Sequence, residues 1–177
     1  MRVFTFSCLL AGLLAGCEAQ ESPISPTDLG LLIHDKGCEK TEVAVARQSD
    51  PDILIGIMYE IGKCRSKDYM KALNHYRISA QRGNDEAMYS FFVLAGRSDA
   101  GWTKEQQTER WNEAIGYLQR SAELKNWQAA YALSVCYEHG ACGLQKDPVK
   151  ARALKEIFES KKPNPALNPD AQNQRAG

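Results

Sequence analysis

Apolar residues recur at helical spacing along most of the chain. In segment 69–81, the residues Ala72, Leu73, Tyr76 and Ala80 fall on one face of a helix. A Gly-Asn break follows at 83–84, after which a second amphipathic segment begins. No strand pattern is present, so the sequence predicts an all-α chain. The predicted helices are paired as 39–48 with 51–62, 68–82 with 85–96 and 104–124 with 127–139, and a closing helix follows at 148–160.

The start of this pattern is less regular. Thr27-Asp28 is typical of a helix N-cap, and 29–34 is apolar enough for a short helix that Gly37 then interrupts. Pro51 is well tolerated at the first position of the next helix, where its missing N–H would be unpaired anyway. We therefore expect a short helix at 29–34, an interruption at Gly37 and then the helix 39–48 that opens the first pair.

The helical pattern also repeats itself. Segment 71–91 aligns with 113–133 at a constant offset of 42 residues without a gap. Periodic self-similarity of about 40 residues is typical of stacked helical hairpins, because a lone hairpin cannot cover its own apolar face. The matched positions include Ser79 with Ser121, Asn84 with Asn126, and Tyr89 with Tyr131.

This pattern resembles the Sel1-like repeats, which are relatives of the tetratricopeptide repeats. Residues 50–160 contain close matches to the motifs of that family, which are A-x-x-x-L-G-x-x-Y-x-x-G, K-D-x-x-K-A and A-A-x-x-G-N. The second unit departs from them, since Ala95 occupies the tyrosine position and a longer insert replaces the K-D turn. The resemblance implies a right-handed α-α superhelix of about three hairpins plus a closing helix, over residues 29–162.

The N-terminus has the features of an export signal. Met1-Arg2 supplies a positive charge, an apolar run covers 3–15, and the closing Leu-Ala-Gly before Cys17 resembles a bacterial lipobox. This predicts a signal peptide at 1–16, lipidation at Cys17 and a tether at 17–28; an ordinary signal peptide that carries a cysteine is the alternative. Glu18 in place of aspartate implies an outer-membrane anchor facing the periplasm. The tail 163–177 is predicted to be disordered.

Four cysteines remain after the signal peptide and the lipidated residue are set aside. Disulfides are the default for an exported chain, and three pairings are possible. Cys38 and Cys64 lie at nearly equal distances from the turn at 50–51, so an antiparallel hairpin brings them together. Cys136 and Cys142 can meet because the glycines nearby let the chain fold back. We therefore predict bridges 38–64 and 136–142, with buried free thiols as the alternative.

The residues give no sign of catalysis. His34, His75 and His139 have no partner at metal-ligand spacing, and no phosphate-binding loop or nucleophile elbow is present. The 22 basic and 22 acidic residues balance, and there is no basic stripe for a nucleic acid. We expect a protein that is not an enzyme, with no metal, no cofactor and no small-molecule substrate.

Binding of another protein is therefore the predicted function, since arrays of helical hairpins present a concave surface suited to it. One hypothesis is an envelope scaffold or adaptor, and the alternative is a periplasmic immunity protein that neutralises a phospholipase effector of type VI secretion. For the tryptophans, packing between units is an equal alternative to a contact; Trp102 in the insert would then cover the seam beside Phe92 or Trp111. The predicted contact residues are Met58, Tyr89, Trp102, Trp127 and Tyr131.

Overall fold

The computed structural model describes residues 22–97 and 101–163, and in these ranges every regular element is a helix. The predicted signal peptide, Cys17 and nearly all of the predicted tail lie outside the described residues. The all-α fold class is confirmed. The helices are α1 (Leu29–Ala46), α2 (Pro51–Ile61), α3 (Tyr69–Gln81), α4 (Asp85–Ala95), α5 (Lys104–Glu123), α6 (Trp127–His139) and α7 (Pro148–Lys161).

Local capping chemistry explains why these helices begin where they do. Pro51 and Pro148 take the first position of their helices, as a proline can without loss of a hydrogen bond. Side-chain oxygens accept hydrogen bonds from backbone N–H groups of the first turn in five helices. The capping residues are Asp68, Asn84, Thr103, Asn126 and Asp147.

Helix α1 combines the two short segments that the sequence suggested. Gly37 stands inside it with non-helical angles, φ 74° and ψ 172°, so the expected interruption takes the form of a kink. Asp28 is the N-cap residue but its side chain makes no capping bond. It accepts a hydrogen bond from Ser25 Oγ instead, at 2.9 Å.

Each helix packs on its neighbour in chain order, but not to the same extent. The contacts of α2 with α3, of α4 with α5 and of α6 with α7 are the most extensive, whereas α1 contacts α2 only slightly. The hairpins are therefore α2–α3, α4–α5 and α6–α7. Within residues 22–97 and 101–163 the array contains three hairpins and one further helix, as expected, but the further helix comes first rather than last.

A small residue lets the two helices of the first hairpin approach each other closely. Gly56 of α2 faces the ring of Tyr76 of α3, and a Cβ atom at Gly56 would lie 2.5 Å from that ring. The ring is buried, and Ala72 on the same helix is fully buried where the helices cross. Bulk at either small position would separate the two helices, since a close-packed interior has no free space to absorb it.

Polar side chains join one hairpin to the next. In the first polar seam, which consists of Asp50, Ser79 and Asn84, the Asp50 carboxylate accepts hydrogen bonds from the hydroxyl and the amide. The second polar seam consists of Asp85, Ser121 and Asn126. There Ser121 Oγ donates to the Asp85 carbonyl at 2.7 Å, and Asn126 Nδ2 donates to the Asp85 carboxylate at 3.0 Å. Both serines are fully buried, so each seam fixes the register of two neighbouring hairpins.

Candidate protein-binding surface

The first helices of the second and third hairpins present equivalent residues on one side of the array. Tyr89 of α4 corresponds to Tyr131 of α6, and one turn further along Val93 corresponds to Val135. We call these four residues the first-helix face. Tyr131 is 49% exposed and Val93 is 42% exposed, while Tyr89 and Val135 are half-buried. The face therefore offers apolar and aromatic surface to solvent.

The rings of the two tyrosines pack against different neighbours. The ring of Tyr131 lies 4.9 Å from that of Phe158 on α7, so its orientation depends on the third hairpin. The ring of Tyr89 lies 6.5 Å from that of Phe92, and burial raises the pKa of its hydroxyl. Burial also raises the pKa of the neighbouring Glu86 carboxyl, and the charge of Asp85 adds to that effect. The partly desolvated carboxyl of Glu86 therefore lies one helical turn before Tyr89 on α4.

Met58, by contrast, does not belong to any contact surface. It is fully buried in the core formed by α1 to α5, so the prediction of a contact residue is wrong at this position. The repeat indicates that this position faces the core, because Met58 lies 78 residues before Cys136, which is also buried. An inward position in one unit is inward in the other.

Trp127 is half-buried at the start of α6, with its ring centroid 5.9 Å from that of Phe158. In the preceding unit the same position is occupied by Asp85, the acceptor of the second polar seam. Trp127 thus forms an aromatic cluster with Phe158 and Tyr131 where the other unit has polar partners. This placement gives Trp127 a packing role, with part of its ring open to solvent.

Trp102, in the insert, lies half-buried against the larger core cluster. The guanidinium carbon of Arg110 stands 4.2 Å from its ring centroid. The two expected neighbours pair with each other instead, since the rings of Phe92 and Trp111 are 5.3 Å apart. The geometry therefore favours the interpretation that Trp102 covers the core over the interpretation that it contacts a partner. The guanidinium of Arg110 in turn covers the ring of Trp102.

The cysteines that were predicted to pair lie at disulfide distance. Cys38 and Cys64 have Sγ atoms 2.15 Å apart, which ties the middle of α1 to the loop after α2. Cys136 and Cys142 have Sγ atoms 2.04 Å apart and close the turn after α6. Cys64 and Cys142 both adopt positive φ, 64° and 59°, so the two units make the same unusual turn after their first helices.

One cluster of titratable groups was not predicted from the sequence. His75 Nδ1 lies 2.8 Å from Asp52 Oδ1, and Arg82 donates a hydrogen bond to the same carboxylate. The His75 ring also stacks on Tyr59, with centroids 5.6 Å apart. These contacts join the start of α2 to α3, which is a structural role. Within the described ranges no group of three or more His, Cys, Asp or Glu residues is placed to hold a metal ion.

A model of the family described as Sel1 repeat matches the chain at 53–84, 112–126 and 127–154. The chain carries Sel1 repeats. The match over 53–84 covers α2 and α3, and the match over 127–154 covers α6 and half of α7, in agreement with the hairpins of the structure. Proteins of Sel1 repeats are generally scaffolds for protein–protein interaction and are typically not catalytic.

Two solved structures match the chain at low sequence identity, and the first of them resembles the Sel1 array in fold. A Sel1 repeat protein from Oxalobacter formigenes is 22% identical with a TM-score of 0.55, over 77% of this chain and 39% of that one. A protective antigen with an SLR fold, present in uropathogenic Escherichia coli strains, is 15% identical with a TM-score of 0.36, over 77% and 38%. The chain spans about two fifths of the length of these structures. No curated protein sequence matches it. None of the described helices has the length and apolarity that a membrane span requires.

Proposed function

We propose that the Sel1 array binds another protein through the first-helix face, and that the chain is not an enzyme. The observation that carries this proposal is the exposure of Tyr131 at a position that repeats as Tyr89 one unit earlier. Tyrosine contributes strongly to binding because it buries a large apolar ring and still offers a hydroxyl. The valines one turn away extend the apolar area on both helices.

A matched pair of variants tests this proposal in a pull-down from an envelope extract. Tyr131→Ala should remove a captured protein from the eluate, since loss of a central aromatic contact costs about 2 kcal/mol or more of binding free energy. Leu124→Ala removes a similarly exposed apolar side chain away from the face and should leave capture unchanged. Thermal unfolding checks that both variants fold. A folded Tyr131→Ala protein that captures the same partner at the same yield would contradict the proposal.

The partner itself separates the two hypotheses for the biological role. An envelope protein without a toxic activity supports a scaffold or adaptor, whereas a phospholipase effector supports the periplasmic immunity protein. Because tyrosine and valine side chains suit either kind of partner, identification by mass spectrometry of the Tyr131-dependent band is needed. We propose the scaffold first, since it asks of the chain only what Sel1 repeats generally do.

We further propose that the array is held at the outer membrane by lipid on Cys17 and faces the periplasm. The Leu-Ala-Gly-Cys sequence after an apolar run supports this, and two or more acyl chains suffice for stable anchoring. Cys17→Ser should abolish both maturation and sedimentation with membranes. Recovery of the Cys17→Ser protein in the outer-membrane fraction would refute the lipid anchor.

A further inference from the structure

A pocket lies between α3 and α5, the second helices of the first two hairpins. Its volume is about 360 Å³, which is enough for one side chain of a ligand and its polar end group. Apolar atoms come from α3 and charged groups from both helices. The lining residues are Met70, Leu73, Asn74, Arg77, Glu109, Arg110 and Glu113.

Arg110 is a buried cation in this pocket, and it makes no hydrogen bond to a carboxylate of the described residues. It is only 9% exposed, and its guanidinium stays charged in proteins. Its Nη2 donates to the thioether of Met70 at 3.0 Å, while its buried Nη1 has no acceptor among the described residues. Burial lowers the pKa of Arg110, and the positive charge of Arg77 adds to that effect, while the negative charges of Glu109 and Glu113 act in the opposite direction.

The carboxylates of the pocket do not fill this need. Glu113 accepts two hydrogen bonds from Arg77, from Nε and Nη2, each at 2.7 Å. A bidentate pair of this kind is strong and directional, so both oxygens of Glu113 are already engaged by Arg77. Glu109 precedes Arg110 on α5, and successive side chains of a helix point about 100° apart.

The stacked ring of Trp102 compensates the buried charge only in part. A cation over an aromatic face contributes about 0.5–2 kcal/mol, whereas removing a charged group from water costs several kcal/mol. The indole Nε1 of Trp102 is a second buried donor without an acceptor in the described part of the chain. Two donors that lack acceptors thus lie together beside the pocket.

Met70 occupies the place where a better acceptor would bind. Its thioether sulfur is a weak acceptor, and the side chain is 51% exposed, so it can move at little cost. We propose that this pocket binds a carboxylate group, supplied by an acidic side chain of a partner polypeptide, which displaces the Met70 sulfur and pairs with Arg110. The two arginines and two glutamates that line the pocket balance in charge, so an incoming carboxylate depends on direct hydrogen bonds to Arg110 and not on a net positive charge.

The indole N–H signal of Trp102 in a two-dimensional NMR spectrum reports on binding to the full-length chain. The chain has three tryptophans, and Trp102→Phe identifies the relevant signal by its disappearance. The probes are a blocked Gly-Glu-Gly peptide, the same peptide with glutamine, and sodium acetate. We expect the glutamate peptide to shift the signal saturably, with a Kd on the order of 1 mM, and the glutamine peptide to leave it in place.

Three variants sharpen the result. Arg110→Met should weaken binding of the glutamate peptide by about tenfold or more, because a hydrogen bond to a charged group is lost. It should still fold, since replacing a buried charge by an apolar side chain is often neutral or stabilising. Arg120→Met removes an exposed arginine of the same helix and should not affect binding. Met70→Ala should tighten binding, because no sulfur remains to be displaced.

The outcomes separate the sources of the carboxylate. Tighter binding of the peptide than of acetate supports a polypeptide partner. Acetate that binds as tightly as the peptide still supports a carboxylate site but assigns it to small acids, and overturns the polypeptide source. Equal shifts with glutamate and glutamine, no shift with either carboxylate, or unchanged binding by Arg110→Met would overturn the proposal. Weaker binding by Met70→Ala would overturn the displacement of the sulfur.

Discussion

The first and third hairpins use the same positions for different chemistry. In the first, the buried Tyr76 of α3 fits against Gly56 of α2 and its hydroxyl donates to Glu60 Oε2 at 2.6 Å. In the third, Lys155 of α7 takes the corresponding position, and its Nζ donates to Glu138 Oε2 of α6 at 2.8 Å. A side chain of the second helix therefore reaches a glutamate of the first helix in both.

The two contacts differ in energy because they differ in burial. A buried aromatic ring contributes about 2–3 kcal/mol by leaving water, and its hydrogen bond adds to that. The side chains of Lys155 and Glu138 are 44% and 43% exposed, and such an ion pair contributes about 0–1 kcal/mol. The repeat preserves the direction of the contact, while this contact stabilises the first hairpin more than the third.

Replacing Tyr76 should have the largest effect on stability. Tyr76→Ala leaves a cavity beside Gly56 and should lower the free energy of unfolding by about 4 kcal/mol. The matched variant Lys155→Ala removes the corresponding side chain of the third hairpin and should cost less than about 1 kcal/mol. Denaturation by urea measures both values. Similar losses from the two variants would show that the hairpins are equally stabilised and would break the comparison.

The disulfides should extend the same asymmetry to a smaller degree. The bridge from Cys38 closes a loop of 26 residues, and that from Cys136 closes a loop of 6. Restriction of the unfolded chain predicts a loss of about 3 kcal/mol when both cysteines of the long loop become serine, and about 2 kcal/mol for the short loop. Peptide mapping without reduction checks both links first. A larger loss from the short loop would contradict this account.

The hydroxyl of Tyr76 should have the smallest effect, and one that depends on pH. Tyr76→Phe should cost about 1.5 kcal/mol near neutral pH through the lost bond to Glu60. Burial and the charge of Glu60 raise the pKa of Tyr76, so above about pH 10 the unfolded chain ionises there and the folded chain does not. Stability therefore falls as pH rises beyond that value.

Tyr89 and Tyr117 also have raised pKa values through burial, so the alkaline loss has several sources. Tyr76→Phe should reduce the slope by up to about 1.4 kcal/mol per pH unit, the contribution of one proton. Urea denaturation at a series of alkaline pH values measures the slope. An unchanged slope would show that Tyr76 does not control this part of the pH dependence.

Helix boundaries could be predicted from the sequence because caps and prolines act locally. Asp68, Asn84 and Pro148 lie beside the positions where helices begin. The sequence paired each helix with the wrong neighbour along the chain. An amphipathic helix can pack against the helix before it or the helix after it, and periodicity does not distinguish the two. The choice between them depends on a close fit such as that of Gly56 against Tyr76, which apolar periodicity does not encode.

The pocket around Arg110 could not be predicted from the repeat pattern. By the offset of 42, Arg110 corresponds to Asp68, which lies just before α3 begins, so no equivalent side chain exists. Helix α5 has 20 residues where α3 has 13, and its extra first turns carry Arg110. Burial of that arginine results from the insert, since Trp102 lies against it. Tyr131, in contrast, is exposed, and its role as a contact residue stays a prediction.

The two polar seams bear on how such a chain changes in length. A second copy of residues 84–125, placed after the first, would bring its own asparagine, aspartate and serine, and so would meet each neighbour with the hydrogen bonds already described. Beyond α7 the situation differs, because Phe158 stands where Ser79 does in the first unit. Duplication inside the chain therefore preserves every junction, whereas growth at the far side of α7 would require a new kind of junction. The serine positions thus mark where units can be gained or lost during evolution.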